Sequence, residues 1–250
     1  MAGHNKWSKV KHIKARVDAI KGRVFSKCAH EIALAARAGG GDPALNPRLR
    51  TAIDAAKSLS TPRENIERAI KKGTGELGGD AIQEVSYEGY GPSGTAFIIE
   101  MATDNLNRSA QDLRTIFSKN GGMVATQGSV SYQFDRKGEI KLSSENLSFD
   151  EIFSLALESG AEDITHEADE FIILTAADQL GTVANLLREN FLLLTSEKLI
   201  SIPHAPCVVA DIDTARQILK LHDTLDEYPD TLNVFTNFEV PDEHLESLLL

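Results

Sequence analysis

Cysteine is scarce in this chain of 250 residues: only Cys28 and Cys207 occur, far apart, with no CxxC and no Cys/His cluster. That scarcity excludes a disulfide framework and a structural zinc site and fits a reducing compartment. No apolar run approaches the ~20 residues needed to cross a bilayer. The opening residues are basic but lead into no apolar stretch, so no secretory signal is expected and the expected setting is the cytoplasm. Signatures of catalysis are missing too. There is no GxSxG elbow, no GxxxxGK[ST] phosphate loop, and the seven histidines form no HxxxH or HExxH pair. Asp163, His166 and Glu167 are neighbours in sequence but read as a solvated strand and turn. The expectation is a protein with no catalytic residue, metal ligand, cofactor, small-molecule substrate or membrane partner.

Charge is present in quantity and sharply sorted. The formal net charge is -11, yet residues 1–75 hold 16 Lys and Arg against 6 Asp and Glu, while the remaining 175 hold 10 against 31. A basic part of +10 joined to an acidic part of −21 points to a polyanion partner at one end only. The bland alternative is ordinary solvated surface at both ends.

The basic excess is densest in residues 1–27, where eight Lys and Arg are interleaved with His4, Trp7 and His12 and only Asp18 is acidic. At about 100° per residue, Val10, Ile13, Val17 and Ile20 fall on one narrow stripe. Lys9, Arg16 and Arg23 flank it on one side, and Lys14 and Lys21 on the other. Such a helix can bury its stripe while showing two rows of cations to phosphate. The expected nucleic-acid contacts are Lys6, Trp7, Lys9, Lys11, His12, Lys14, Arg16, Lys21, Arg23 and Lys27, with Trp7 stacking.

Gly22 is expected to loosen the chain before a second helix that runs to about residue 38, with Val24, Cys28, Ile32 and Ala35 or Ala36 inward. Cys28 thus reads as a core residue rather than a nucleophile. Asn46-Pro47 reads as an N-cap followed by proline at the first helical position. Thr61-Pro-Arg-Glu64 reads as a capping box, and Lys71-Lys72-Gly73 as a cationic end closed by a left-handed glycine. Gly73-Thr-Gly75-Glu-Leu-Gly78 spells GxGxxG, but it follows a helix rather than a strand and reads as a linker.

From Glu84 the apolar period shortens to that of strands. Segments 84–87, 95–102 and 129–134 read as strands and 107–119 as a helix. Residues 139–200 then follow a β-α-β-β-α-β order, the ferredoxin-like split βαβ pattern. A strand at 207–210, a helix at 214–225 and a strand at 233–238 can complete the earlier sheet. The expected class is α+β: a basic all-helical domain over 1–78, an α/β domain over 79–134 plus 205–240, and a ferredoxin-like domain over 135–204 inserted into it. Tyr87 and Tyr90 border the turn Gly89–Gly94 and could stack on bases as a secondary contact. The ordinary reading is a hairpin with Tyr87 in the core and Tyr90 half exposed.

Several blocks resemble the YebC family, the bacterial relatives of the mitochondrial translational activator of cytochrome c oxidase. They are MAGHNKW at 1–7, Lys11-His12, GGGDP and NPRLR within 39–50, PRENIERAIKKG at 62–73, YEGYGPSG at 87–94, TDNLNR at 103–108, GSV at 128–130 and NVFTNF at 233–238. The resemblance implies three domains and no cofactor. It also implies one of two roles: a DNA-binding transcriptional regulator, or a ribosome-associated factor that helps translation through stretches such as proline runs. Either role needs nucleic acid, ribosomal RNA or DNA, as partner. The residues themselves lean to RNA, because the head shows no helix-turn-helix, zinc finger or basic zipper. A protein-binding adaptor using the acidic domains stays open.

Overall fold

The computed structural model describes residues 20–145, 147–190 and 192–249. The fold is α+β, and the chain forms two compact units: residues 134–204, and a second unit built from the segments on either side of them.

The larger unit begins with three helices, α1 (Ile20–Gly39), α2 (Pro47–Ser58) and α3 (Arg63–Gly73). Gly22 lies within α1 and does not interrupt it. Residues 32–36 of α1 are all buried, more than one face of a helix accounts for. Ile32, Ala35 and Ala36 pack against Leu49, Ile53 and Ala56 of α2 and Ile66 and Ala69 of α3. Ala33 and Leu34 pack instead with Ile82, Ala102 and Leu232 of the sheet described below. Helix α1 is therefore the common wall of two cores.

Asn46 performs the expected cap, accepting from the Leu49 amide at 3.1 Å. Its amide group also donates to the carbonyls of Ala35 and Gly40 at 2.7 and 2.9 Å, satisfying the end of α1 with the residue that starts α2. Two expected devices are absent. The N-cap of α3 is Pro62, with no side-chain cap bond, and the Thr61 hydroxyl is buried without a hydrogen-bond partner. Gly73 is not among the glycines with positive φ. It is required for closeness: a Cβ there would lie 2.2 Å from the Ala33 carbonyl oxygen and 2.8 Å from the Ala36 Cβ.

An antiparallel sheet follows, in the order β3 (Met123–Ala125), β1 (Gln83–Tyr90), β2 (Ala96–Thr103), β9 (Thr231–Thr236). Helix α4 (Leu106–Lys119) carries the chain from β2 past β1 to β3. Helix α7 (Ile212–Asp226) leads into β9. Phe97, Ile99 and Met101 point to the face where Leu113 and Phe117 of α4 meet Ile218 and Leu221 of α7. The rings of Phe97 and Phe117 meet edge to face, with centroids 6.0 Å apart. Helix α1 packs by Ala102 on β2, whose side chains alternate away from that face. A short parallel pair, β8 (Cys207–Val208) with β10 (Phe238–Glu239), and helix α8 (Asp242–Leu249) complete the unit. The expected strand over 129–134 does not form: residues 131–133 make a turn of 3₁₀ helix, and the next strand starts at Phe134.

The other unit runs β4 (Phe134–Ser143), α5 (Phe149–Glu158), β5 (Asp163–Glu167), β6 (Glu170–Ala176), α6 (Leu180–Glu189), β7 (Leu194–Pro203). Its sheet order, β5-β6-β4-β7 with every neighbour antiparallel, is that of the ferredoxin-like fold. Ile140 and Leu142 of β4 and Phe171 and Ile173 of β6 face Ile152 and Ala156 of α5 and Val183 and Leu187 of α6. Among the described residues no helix is long and apolar enough to cross a membrane.

Candidate nucleic-acid interface

Of the ten cationic and aromatic positions expected to meet nucleic acid, Lys6, Trp7, Lys9, Lys11, His12, Lys14 and Arg16 lie outside the described residues. Lys21 and Arg23 are on α1, with side chains outside the described set. Lys27 is placed, and it is not an open cation. Its ammonium sits 2.7 Å from Asp226 at the end of α7, with both side chains about a quarter exposed. Lys27 therefore ties α1 to the sheet's covering helix, a structural role beside its expected reading as a phosphate contact.

The rest of the helical head supplies further cations. Several are engaged. Arg48 reaches Glu84 of β1 at 2.5 Å and Glu31 of α1 at 3.6 Å. Lys57 pairs with Asp54 and Arg63 with Glu67 along their own helices. Arg37 donates to the Ile82 carbonyl. Arg50, Arg68 and Lys71 are exposed and have no ion-pair partner among the described residues. These three form the open cationic remainder of α2 and α3.

A second cluster, which the sequence did not announce, fastens the head to the sheet. Asp230, which is 8% exposed, has its Oδ2 2.9 Å from an Arg108 guanidinium nitrogen and 3.0 Å from each of the hydroxyls of Thr103 and Ser109. Those hydroxyls are 2.8 Å from each other, so two protons are shared among three contacts. Arg108 also donates to Asp104 at 3.1 Å, and Asp104 accepts from Lys72 of α3 at 2.9 Å. The hydrogen bond from Lys72 holds the Asp104 carboxyl below the usual carboxylate range, against the opposing effect of burial. The hydrogen bond to Asp230 raises the pKa of Arg108. His30 of α1 borders the cluster with its Nδ1 buried and unpartnered, and burial pushes its pKa down despite the nearby Asp230. The TDNLNR block is thus largely architectural. Thr103, Asp104 and Arg108 bind the network, and Asn105 caps α4 by accepting from the Arg108 amide at 3.0 Å.

The tyrosines have structural partners as well. Tyr87 packs against the α4/α7 core and its hydroxyl donates to the Leu106 carbonyl at 3.2 Å. Tyr90 donates to the Ser129 carbonyl at 2.7 Å. Between them Glu88, 4% exposed, accepts backbone amides of Gly128 at 2.7 Å, Val130 at 2.6 Å and Ser131 at 3.1 Å. Burial would push that carboxyl up; the three amide donors outweigh it and bring it below the ordinary value. Glu88 and Tyr90 therefore clamp the Gly128-Ser129-Val130 loop to β1. An alternating S-V-S-Y-Q-F stretch becomes a loop because its amides are taken by a carboxylate instead of a neighbouring strand.

Comparisons with known proteins match this architecture end to end. A family model described as the TACO1/YebC protein N-terminal domain covers residues 5–76, and one described as the TACO1/YebC second and third domain covers residues 82–238. A probable transcriptional regulatory protein of Akkermansia muciniphila is 58% identical over 250 residues, covering 99% of this chain and 100% of its own. One of Myxococcus xanthus is 46% identical, with full coverage of both chains. The crystal structure of a conserved hypothetical protein from Aquifex aeolicus superposes with a TM-score of 0.82 at 42% identity, over 92% of this chain and 94% of that one. With both models matched and such identity across its whole length, this chain belongs to the TACO1/YebC family.

Proposed function

We propose that the chain is a non-enzymatic regulator of gene expression that binds structured RNA, above all ribosomal RNA, through its basic helical head. The observation that carries this reading is the segregation of charge. The head segment 1–75 has a formal charge of +10 in a protein of -11. On its described part, Arg50, Arg68 and Lys71 stay exposed and unpaired while neighbouring cations are consumed internally. A surface kept cationic beside so many available carboxylates suits phosphate. Lys6, Lys9, Lys11, Lys14, Arg16, Lys21 and Arg23 would extend it and Trp7 would stack, while Lys27 holds α1 to α7. RNA is favoured over DNA because a broad basic surface without a short recognition helix suits recognition by shape.

A second reading is supported by the names of the relatives, which are called probable transcriptional regulatory proteins. It would make duplex DNA the target. Crosslinking in cells followed by sequencing of the attached nucleic acid separates the two. The proposal expects ribosomal RNA to dominate the reads; promoter DNA in its place would favour the second reading, and recovery no better than an uncrosslinked control would overturn both.

A further inference from the structure

The inserted unit carries an apolar row that its own core covers only in part, through the Phe149 ring, whose centroid lies 5.9 Å from that of Phe171. On α5, Phe149, Phe153 and Leu157 are 39%, 40% and 45% exposed, while Ile152 and Ala156 on the adjoining face are buried. The spacing i, i+4, i+8 puts the three side chains in one row, and the rings of Phe149 and Phe153 already meet with centroids 5.8 Å apart. From end to end the row is ~12 Å long at the helical rise. Beside it, on the outer side, lie the exposed Asp150 and Glu158. Residues 134–204 as a whole hold 14 Asp and Glu against 5 Lys and Arg. An apolar row on an acidic surface calls for a partner of opposite design: an apolar row between cations.

Such a segment exists in this sequence. Val10, Ile13, Val17 and Ile20 repeat at helical spacing, flanked by Lys9 and Arg16 on one side and Lys14 and Lys21 on the other. From Val10 to Ile20 the helix expected from the spacing would run ~15 Å, close to the length of the α5 row. We propose that the α5 stripe is the docking site for residues 4–21 of a second copy of this chain, giving a head-to-body contact between copies. Apolar burial would supply contact and the acidic rim would supply orientation and salt sensitivity. The contact draws on Lys9, Lys14, Arg16 and Lys21, which the function proposed above gives to RNA, so the two uses compete for one segment and a titration free of RNA reads the docking alone.

A fluorescent peptide of residues 4–21, titrated with the full-length protein at ~50 mM salt, reads the docking directly. The expected result is saturable binding, weakened ~10-fold or more by Phe153→Ser with Leu157→Ser and by Asp150→Lys with Glu158→Lys. A scrambled peptide of the same composition is expected to bind at least ~10-fold more weakly. The charge-reversed variant alters exposed positions only, so it keeps the test valid should the serine variant fold poorly. Sedimentation should show the wild-type chain self-associating at low salt and both variants shifted towards monomer. Equal binding of the peptide to wild type and to the charge-reversed variant, or equal binding of the scrambled peptide, overturns the proposal.

Discussion

Asp230→Ala is expected to lower the melting temperature of the chain by roughly 4–16 °C, from a loss of about 2–4 kcal/mol at 2–4 °C per kcal/mol for a chain of this size. One carboxylate oxygen receives the Arg108 guanidinium and the Thr103 and Ser109 hydroxyls. Removing it leaves the two hydroxyls, both on buried residues, to satisfy each other. It also takes from Arg108 a partner whose own side chain is only 12% exposed. Arg108 itself is half exposed and can turn to water, which keeps the loss below the full cost of stranding a buried charge. The effect should spread into the head, because Arg108 and Lys72 share Asp104. Asp230→Asn keeps an acceptor and should lose about half as much. A melting temperature within ~1 °C of wild type for the alanine variant would show that the cluster is decoration.

Glu88→Ala is expected to cost about 2–4 kcal/mol, because three backbone amides lose a charged acceptor and that of Val130 is buried. Glu88→Gln retains one acceptor oxygen and should cost about half of that. The pH dependence distinguishes the mechanism. The folded-state value is depressed, so the stabilisation is complete above the ordinary glutamate value of about 4.3 and is lost as pH falls through the lower folded value. Urea titrations from pH 7 down to about 3 should show a constant gap between wild type and Glu88→Gln above about pH 5, narrowing below it. A gap that does not change with pH would mean that the carboxylate's charge is irrelevant to the loop.

Local devices were legible in the sequence where neighbours along the chain decide the outcome. Asn46-Pro47 starts a helix because the cap and the proline act within one turn, and the ferredoxin-like order follows from apolar periodicity alone. Reading failed where a distant segment decides. Gly73 ends a helix beside two lysines and so resembled a left-handed cap; it is glycine because the Ala33 carbonyl lies against it. Thr61 and Glu64 have the spacing of a capping box, yet that threonine is buried. The stripe read on α1 found Ile32, Ala35 and Ala36 but not Ala33 and Leu34, because the sheet covers the helix on a second side. The sequence marked the charge excess of the head but not which cations stay free, since Asp226, Glu84 and Asp104 come from segments far along the chain.

The central claim is that the cationic head docks on phosphate-rich chains. Its most direct test is the slope of log K against log salt for a ribosomal RNA fragment, measured for wild type, for Lys9→Ala with Arg16→Ala and Arg23→Ala, and for Arg50→Ala with Arg68→Ala and Lys71→Ala. The wild-type slope should be several units steep, and each triple substitution should flatten it by about 2–3, near 0.7–0.9 for each lost phosphate contact. Binding that ignores salt, or slopes left unchanged by both sets of substitutions, would contradict the claim and leave the acidic domains as the working surface.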